Sequence, residues 1–472
     1  MKLTWISEYE AHPGEMVEWR LHPATIAVAG QLVSDARPPS YMQAGHIRTA
    51  AMLRDVGLKA PTWLGTVFDI AGELDADALE TALLAWITRH ESLRSGLRMA
   101  GQQLERFTFD AQAVALQRFL IGSFSRGEDV VRCLDERFDE ACDPRTWPPY
   151  LFVTVARDDG FTVYLAFDHS MVDGYSITHI PAELHELYAA ALTGDAVDLG
   201  EVGSYVDFSE IEHVSAQQLD IDDDAVVRWQ EFVEASGGGL PGFPLDLDVA
   251  AGEMPTQIGI CEWLLDTADT DAFSAACKAA GGSFLAGVLA VAALVAYEQG
   301  GEPVYRTVVP FHTRSEQQWE RSLGWYIGLA PVEIATAQAQ DFAKLIGMAQ
   351  AAASAGKAVA QVPFGKVCTL LDTVVRPVSV FSYMDGRMLP GADRWGEWRA
   401  HAFGKVSVGD EAYVWANRTV NGLYMTCRYP DTEVARDNIA GYIEGTRAVL
   451  IAIARHGDYS LAGHRDAQPA IA

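Results

Sequence analysis

Along the chain, apolar positions switch repeatedly between the two-residue period of a strand and the 3.6-residue period of a helix. Trp63 to Ile70 is strand-like and ends at a turn around Gly72. From Asp75 onward Leu79, Leu83, Trp86 and Ile87 recur at helical spacing, and the acidic start suits the positive end of a helix dipole. Phe152 to Ala156 and Phe161 to Phe167 are β-rich runs broken by Asp158-Asp159-Gly160, which predicts a hairpin. The second run leads directly into Asp168-His169-Ser170-Met171-Val172-Asp173-Gly174, and a helix is expected from about Ser176 to Leu192. Pro181 fits that helix only if it falls in the first turn.

Upstream, a helix is expected from about Ser40, its cap, to Leu53. The first forty residues read as an irregular arm on the body, punctuated by Pro13, Pro23, Pro38 and Pro39. The alternation resumes after the acidic stretch Asp220 to Asp224 and the loop Ser236 to Gly239. Strands are expected at Val304 to Val309, Ala330 to Ile334, Val378 to Tyr383, Tyr413 to Asn417 and Leu423 to Arg428. Helices are expected at Asp271 to Ala279, Leu285 to Glu298, Phe342 to Ala353 and Arg436 to Arg455. The class is α/β in two comparable halves: 1–190 with the arm, a connection at 191–225, and 226–472.

Composition narrows the classes. At 49% hydrophobic and 21% charged, the 472 residues are globular rather than disordered. The formal charge of −29 repels nucleic acid and anionic lipid surfaces, though small anionic substrates answer to local charge. The N-terminus lacks the apolar core of a signal peptide, and the longest apolar run, Phe284 to Tyr297, is too short to span a bilayer. It reads as a buried helix in a cytoplasmic protein, with no membrane span and room only for peripheral contact. Cys133, Cys142, Cys261, Cys277, Cys368 and Cys427 form no CxxC pair, so reduced and mostly buried thiols are expected. His179 and His185 are not spaced as a zinc pair, so no metal is expected. Gly237-x-Gly239-x-x-Gly242 follows a helix-like stretch and contains Pro241, unlike a dinucleotide loop.

The chemistry concentrates in His169-x-x-x-Asp173-Gly174. A neutral imidazole at the end of a strand can act as a general base. The glycine permits positive φ and a close approach of substrate. A bare six-residue match occurs often by chance; the hairpin, apolar strand, motif and helix in succession form a much narrower pattern.

His169-Ser170-Met171-Val172-Asp173-Gly174 resembles the motif of nonribosomal-peptide condensation domains, chloramphenicol acetyltransferase and the polyketide-associated (Pap) acyltransferases. Pro38 to Gln43, Arg89 to Ser95, Thr313-Arg314 with Leu323 to Val332, and Val380 to Asp385 are similar to further blocks of these families. The arm, with Trp5, Glu8-Tyr9, Pro13-Gly14 and Val17-Glu18-Trp19, looks most like stand-alone actinobacterial Pap enzymes that acylate sugars. Two departures stand out. Asp168 replaces the first of the two adjacent histidines usual in condensation domains, and the plant-type Asp-Phe-Gly-Trp-Gly motif is missing.

The resemblance implies two chloramphenicol-acetyltransferase-like subdomains in a V, with a central substrate tunnel. His169 would deprotonate an acceptor hydroxyl (sugar or polyketide) or an amine. The acceptor would attack an acyl thioester on CoA or on the phosphopantetheine of an acyl or peptidyl carrier protein. No bound cofactor is implied. A contact near Gly174 would stabilise the oxyanion. Asp173 would shape the loop by pairing with Arg314, whose bland alternative is a surface arginine. Tyr175, Ser176, Trp325 and Tyr326 would line the tunnel, the alternative for the aromatics being plain core. The rival readings are a free-standing condensation enzyme that forms amides or esters, and a silent member of the fold that only binds carrier proteins.

Overall fold

The computed structural model describes residues 1–29, 31–101 and 103–461. The chain is α/β and divides into two compact units. Among the described residues, Met1–Leu219, Arg314–Ile327 and Met388–Val406 form the first; Asp220–Thr313, Gly328–Arg387 and 407–461 form the second. Residues 191–219, expected within the connection, belong to the first unit and carry the helix Tyr205–Ala216. The segments 314–327 and 388–406, expected in the second half, belong to the first unit as well.

The first unit is built on a seven-stranded sheet among the described residues. Its order is Lys2–Trp5, His401–Gly404, Trp63–Ala71, Gly160–Asp168, Tyr150–Arg157, Gly14–Leu21 and Leu116–Phe124. The arm is therefore not irregular. Lys2–Trp5 pairs in parallel with His401–Gly404, and Gly14–Leu21 lies between two antiparallel neighbours. Pro13 and Pro23 flank the strand Gly14–Leu21 rather than interrupt it, which keeps its ladder N–H groups available, and Pro38 and Pro39 lead into the Ser40 cap.

The hairpin forms as expected. Tyr150–Arg157 pairs with Gly160–Asp168, which also pairs with Trp63–Ala71. Gly160–Asp168 is buried along its whole length because both faces are covered. Phe161, Val163, Leu165 and Phe167 enter one core, while Tyr164 and Ala166 enter the other. A two-sided strand needs a nearly continuous apolar run, and the residues supply one apart from Thr162, whose Oγ1 donates to Asp69 Oδ1 at 2.6 Å.

Helix Ala76–Arg89 is capped by Asp75, which accepts from the N–H groups of Asp77 and Ala78, and it buries Leu79, Ala82, Leu83, Trp86 and Ile87. Helix Tyr41–Asp55 begins with a capping box between Ser40 and Gln43. Helix Ser176–Thr193 contains Pro181 beyond its first turn, contrary to the expectation. Its almost fully buried face, from Ser176 through Leu184, supplies packing that outweighs the lost backbone hydrogen bond.

The second unit has a six-stranded sheet among the described residues, ordered Ile327–Ile334, Tyr305–His312, Ser379–Asp385, Ala412–Thr419, Gly422–Pro430 and Gln257–Leu265. Helix Phe284–Gly300 is buried from Ala286 to Ala296 at the centre of its core. No single helix among the described residues is long and apolar enough to cross a membrane; one bent pair, Thr267–Ala279 with Phe284–Gly300, passes on length and composition. Cys142, Cys277 and Cys427 are buried thiols, and Cys133, Cys261 and Cys368 are partly buried ones.

Candidate active site

The strand Gly160–Asp168 ends in a turn closed by its own last residue. The buried Asp168 carboxylate accepts the Ser170 N–H at 2.8 Å, and the Asp168 carbonyl accepts the Met171 N–H at 2.9 Å. An aspartate that bonds two residues ahead holds a turn locally, and here that turn carries His169. Gln43 fastens the turn from the neighbouring helix by donating Nε2–H to the Ser170 carbonyl at 2.9 Å.

His169 is half-buried and its ring lies on the indole of Trp325, with centroids 3.9 Å apart and planes 26° from parallel. Its Nδ1 is sealed from solvent and has no partner at hydrogen-bond geometry among the described residues. Nε2 is then the nitrogen left for a reactant. Burial first, and the charge of His46 second, lower the His169 pKa to about 4. The backbone carbonyl of His169 and the carboxylates Asp168 and Asp173 pull the other way. The imidazole is neutral at ordinary pH, the form a base requires.

Asp173 does not bond His169. Its carboxylate takes a two-pronged ion pair from Arg314, with Nη1 to Oδ2 at 2.7 Å and Nη2 to Oδ1 at 3.1 Å. The Ser176 and Tyr326 N–H groups complete its shell at 2.7 and 3.0 Å. Burial alone would raise the Asp173 pKa; Arg314 and Ser176 outweigh it and hold the carboxyl below its usual range. Arg314 is buried and sandwiched over the rings of Tyr175 and Tyr326, 4.8 and 4.3 Å from their centroids.

The remaining expected residues separate into two groups. Ser176 and Tyr326 are fully buried and their polar atoms are engaged. Ser176 Oγ donates to the Gly324 carbonyl and accepts from Arg314 and the Gly324 N–H, while Tyr326 OH donates to Ser322 Oγ. They belong to the buried support of the loop and do not offer an open lining. Tyr175 and Trp325 are partly exposed. Gly174 is exposed, and a Cβ there would meet nothing within 4 Å. Its backbone does not use the positive-φ freedom expected of it. Its N–H makes no hydrogen bond among the described residues.

One residue near His169 escaped the sequence reading. His46, on helix Tyr41–Asp55, places Nε2 at 3.1 Å from both oxygens of Asp168. Its only sequence signal is a place inside the helix that Ser40 caps, which identifies a helical histidine and nothing more.

A family model described as Condensation domain matches residues 62–380. The 2'-acyl-2-O-sulfo-trehalose (hydroxy)phthioceranyltransferase PapA1 of Mycobacterium tuberculosis is 28% identical over 98% of this chain and 91% of its own length. The trehalose-2-sulfate acyltransferase PapA2 of Mycobacterium bovis is 29% identical over 95% of this chain and 96% of its own length. A solved structure of a PapA2 acyl transferase superposes with a TM-score of 0.90 at 26% identity, covering 96% of this chain and all of the other.

Proposed function

This chain belongs to the condensation-domain family, and we propose that, as an acyltransferase, it uses His169 to pass an acyl group from a CoA or carrier-protein thioester to a sugar hydroxyl in lipid biosynthesis. The observation that carries the reading is the state of His169: neutral, half-buried, Nδ1 sealed, and braced against Trp325.

In the proposed reaction His169 Nε2 takes the proton of the acceptor hydroxyl as the oxygen attacks the thioester carbonyl. The carbonyl π electrons move to oxygen, and the Gly174 N–H, which makes no hydrogen bond among the described residues, is the donor we assign to that oxyanion. Collapse re-forms the carbonyl and breaks the carbon–sulfur bond. The imidazolium then returns its proton to the leaving thiolate, so His169 ends as it began. A base with a pKa near 4 becomes a strong acid once protonated, which favours that last transfer. No covalent acyl-enzyme is required.

The sugar acceptor is inferred from the trehalose substrates in the relatives' names. The cytoplasm is the proposed location, because CoA thioesters and carrier-bound acyl groups are used there. The test is to incubate the enzyme with acyl-CoA and acyl-carrier donors, offer sugar and amine acceptors in parallel, and read products by mass spectrometry. Ester on a sugar hydroxyl is the expected product. Amide alone would overturn the ester reading in favour of a free-standing condensation enzyme. No product above the enzyme-free control with any pair would favour the silent carrier-binding member.

A further inference from the structure

Asp168 stands where the family usually has a histidine, and it is completely buried. Lone buried carboxylates are costly, so this one needs a counter-charge. His46 supplies the contact, 3.1 Å from each oxygen. Thr62 Oγ1 adds a longer contact to Oδ2 at 3.4 Å, and the Ser170 N–H bonds Oδ1. His46 also meets Trp325 edge to face, with centroids 5.4 Å apart at 79°. Trp325 in turn covers the His169 ring, and the His46 and His169 centroids are 6.4 Å apart. The pair thus touches both supports of the base: the turn that bears His169 and the indole that faces it.

We propose that His46, as an imidazolium paired with Asp168, is a positioning residue that fixes His169 against Trp325 and holds it unprotonated. This rests on the reading of His169 as the base.

The charges near the pair agree with it. Burial would keep His46 neutral, but Asp168 outweighs burial and raises its pKa; burial likewise pushes Asp168 up, and His46 and Ser170 bring it down. The groups that face His169 are His46, Asp168 and Asp173. Those that face Asp168 are His46, His169, Cys142 and Asp143. Among these only His46 can place a cation beside His169. Its repulsion of a second proton exceeds the attraction of Asp168, so removing the pair makes His169 easier to protonate.

Three profiles of kcat/KM against pH test the idea, on wild type, His46→Gln and Asp168→Asn. His46→Gln removes the cation and leaves a bare carboxylate, so the acid limb should rise by about one pH unit or more. Asp168→Asn removes the carboxylate, and burial then neutralises His46, so the limb should rise by less. Both variants should lose kcat with little change in KM. Limbs that coincide with wild type, or a loss uniform at every pH, would overturn the proposal.

Nitrogen NMR of wild type labelled at histidine guards against variants that do not fold. His46 should be doubly protonated at pH 7, and a neutral His46 there would overturn the proposal without any assay. That readout needs no turnover. Full turnover by His169→Ala would defeat the catalytic reading, whereas a neutral His46 defeats only this one.

Discussion

The ring of His169 lies face to face with the indole of Trp325, 3.9 Å between centroids. Among the described residues His169 Nδ1 meets no partner at hydrogen-bond geometry, and the surface packed on the ring is Trp325. Trp325→Ala should therefore lower kcat by about 10–100-fold, the scale of a misplaced catalytic group, with a smaller change in KM. Trp325→Phe should keep most of the rate. Steady-state kinetics on a folded variant decide it, and an unchanged kcat in the alanine variant would show that the stack orients nothing.

The ion pair between Asp173 and Arg314 is buried on both sides and bridges residues 141 apart in sequence. Arg314→Ala strands a buried carboxylate and should cost about 3–5 kcal/mol in denaturant unfolding. Because the Asp173 pKa is lowered in the folded state, its contribution is fully present above the unfolded carboxylate value near ~3.9. It is lost as pH falls from there through the lower folded value. Wild type should thus lose stability on acidification in that window more steeply than Asp173→Asn. Parallel acid unfolding curves for the two proteins would contradict the pair's role.

His179 packs edge-on against Tyr175, is buried, and has no hydrogen-bond partner for either ring nitrogen among the described residues. Burial, then Arg314, lower its pKa to about 3. The unfolded chain binds a proton there below ~6.5 while the folded protein does not, so this histidine destabilises the fold as pH drops below that value. His179→Met should be neutral or stabilising at pH 8. It should gain about 2 kcal/mol more at pH 5. Equal gains at both pH values would mean that His179 is protonated in the native state.

The acid limb of kcat/KM for wild type should lie near the His169 pKa of about 4 rather than at an ordinary histidine value. Below it the base is protonated and activity falls; above it activity is flat until another group titrates. A limb at 6.5 would place the titrating base outside this buried environment.

Much of this was legible in the residues. The hairpin and its apolar second strand announce themselves by period and by Asp158-Asp159-Gly160, since a strand covered on both faces must be continuously apolar. The link from Asp173 to Arg314 came from matching family blocks, because nothing local connects residues so distant. The strand character of the arm is faint in the sequence because Gly14–Leu21 alternates only loosely, with Trp19 and Leu21 in one core and Met16 in another. His46 was invisible for a different reason: its partner is 122 residues away, and its own helix would be stable without it. Tyr326 and Ser176 looked like lining by position. Only the hydrogen bonds that occupy them reveal that they support the loop.

The most direct measurement is single-turnover acyl transfer by His169→Ala, from an acyl thioester to the acceptor that wild type uses, with unfolding curves to show that the variant is folded. The rate should fall at least about 100-fold below wild type at pH 7, the usual contribution of a general base, with donor binding retained. A folded variant that turns over at the wild-type rate would contradict it.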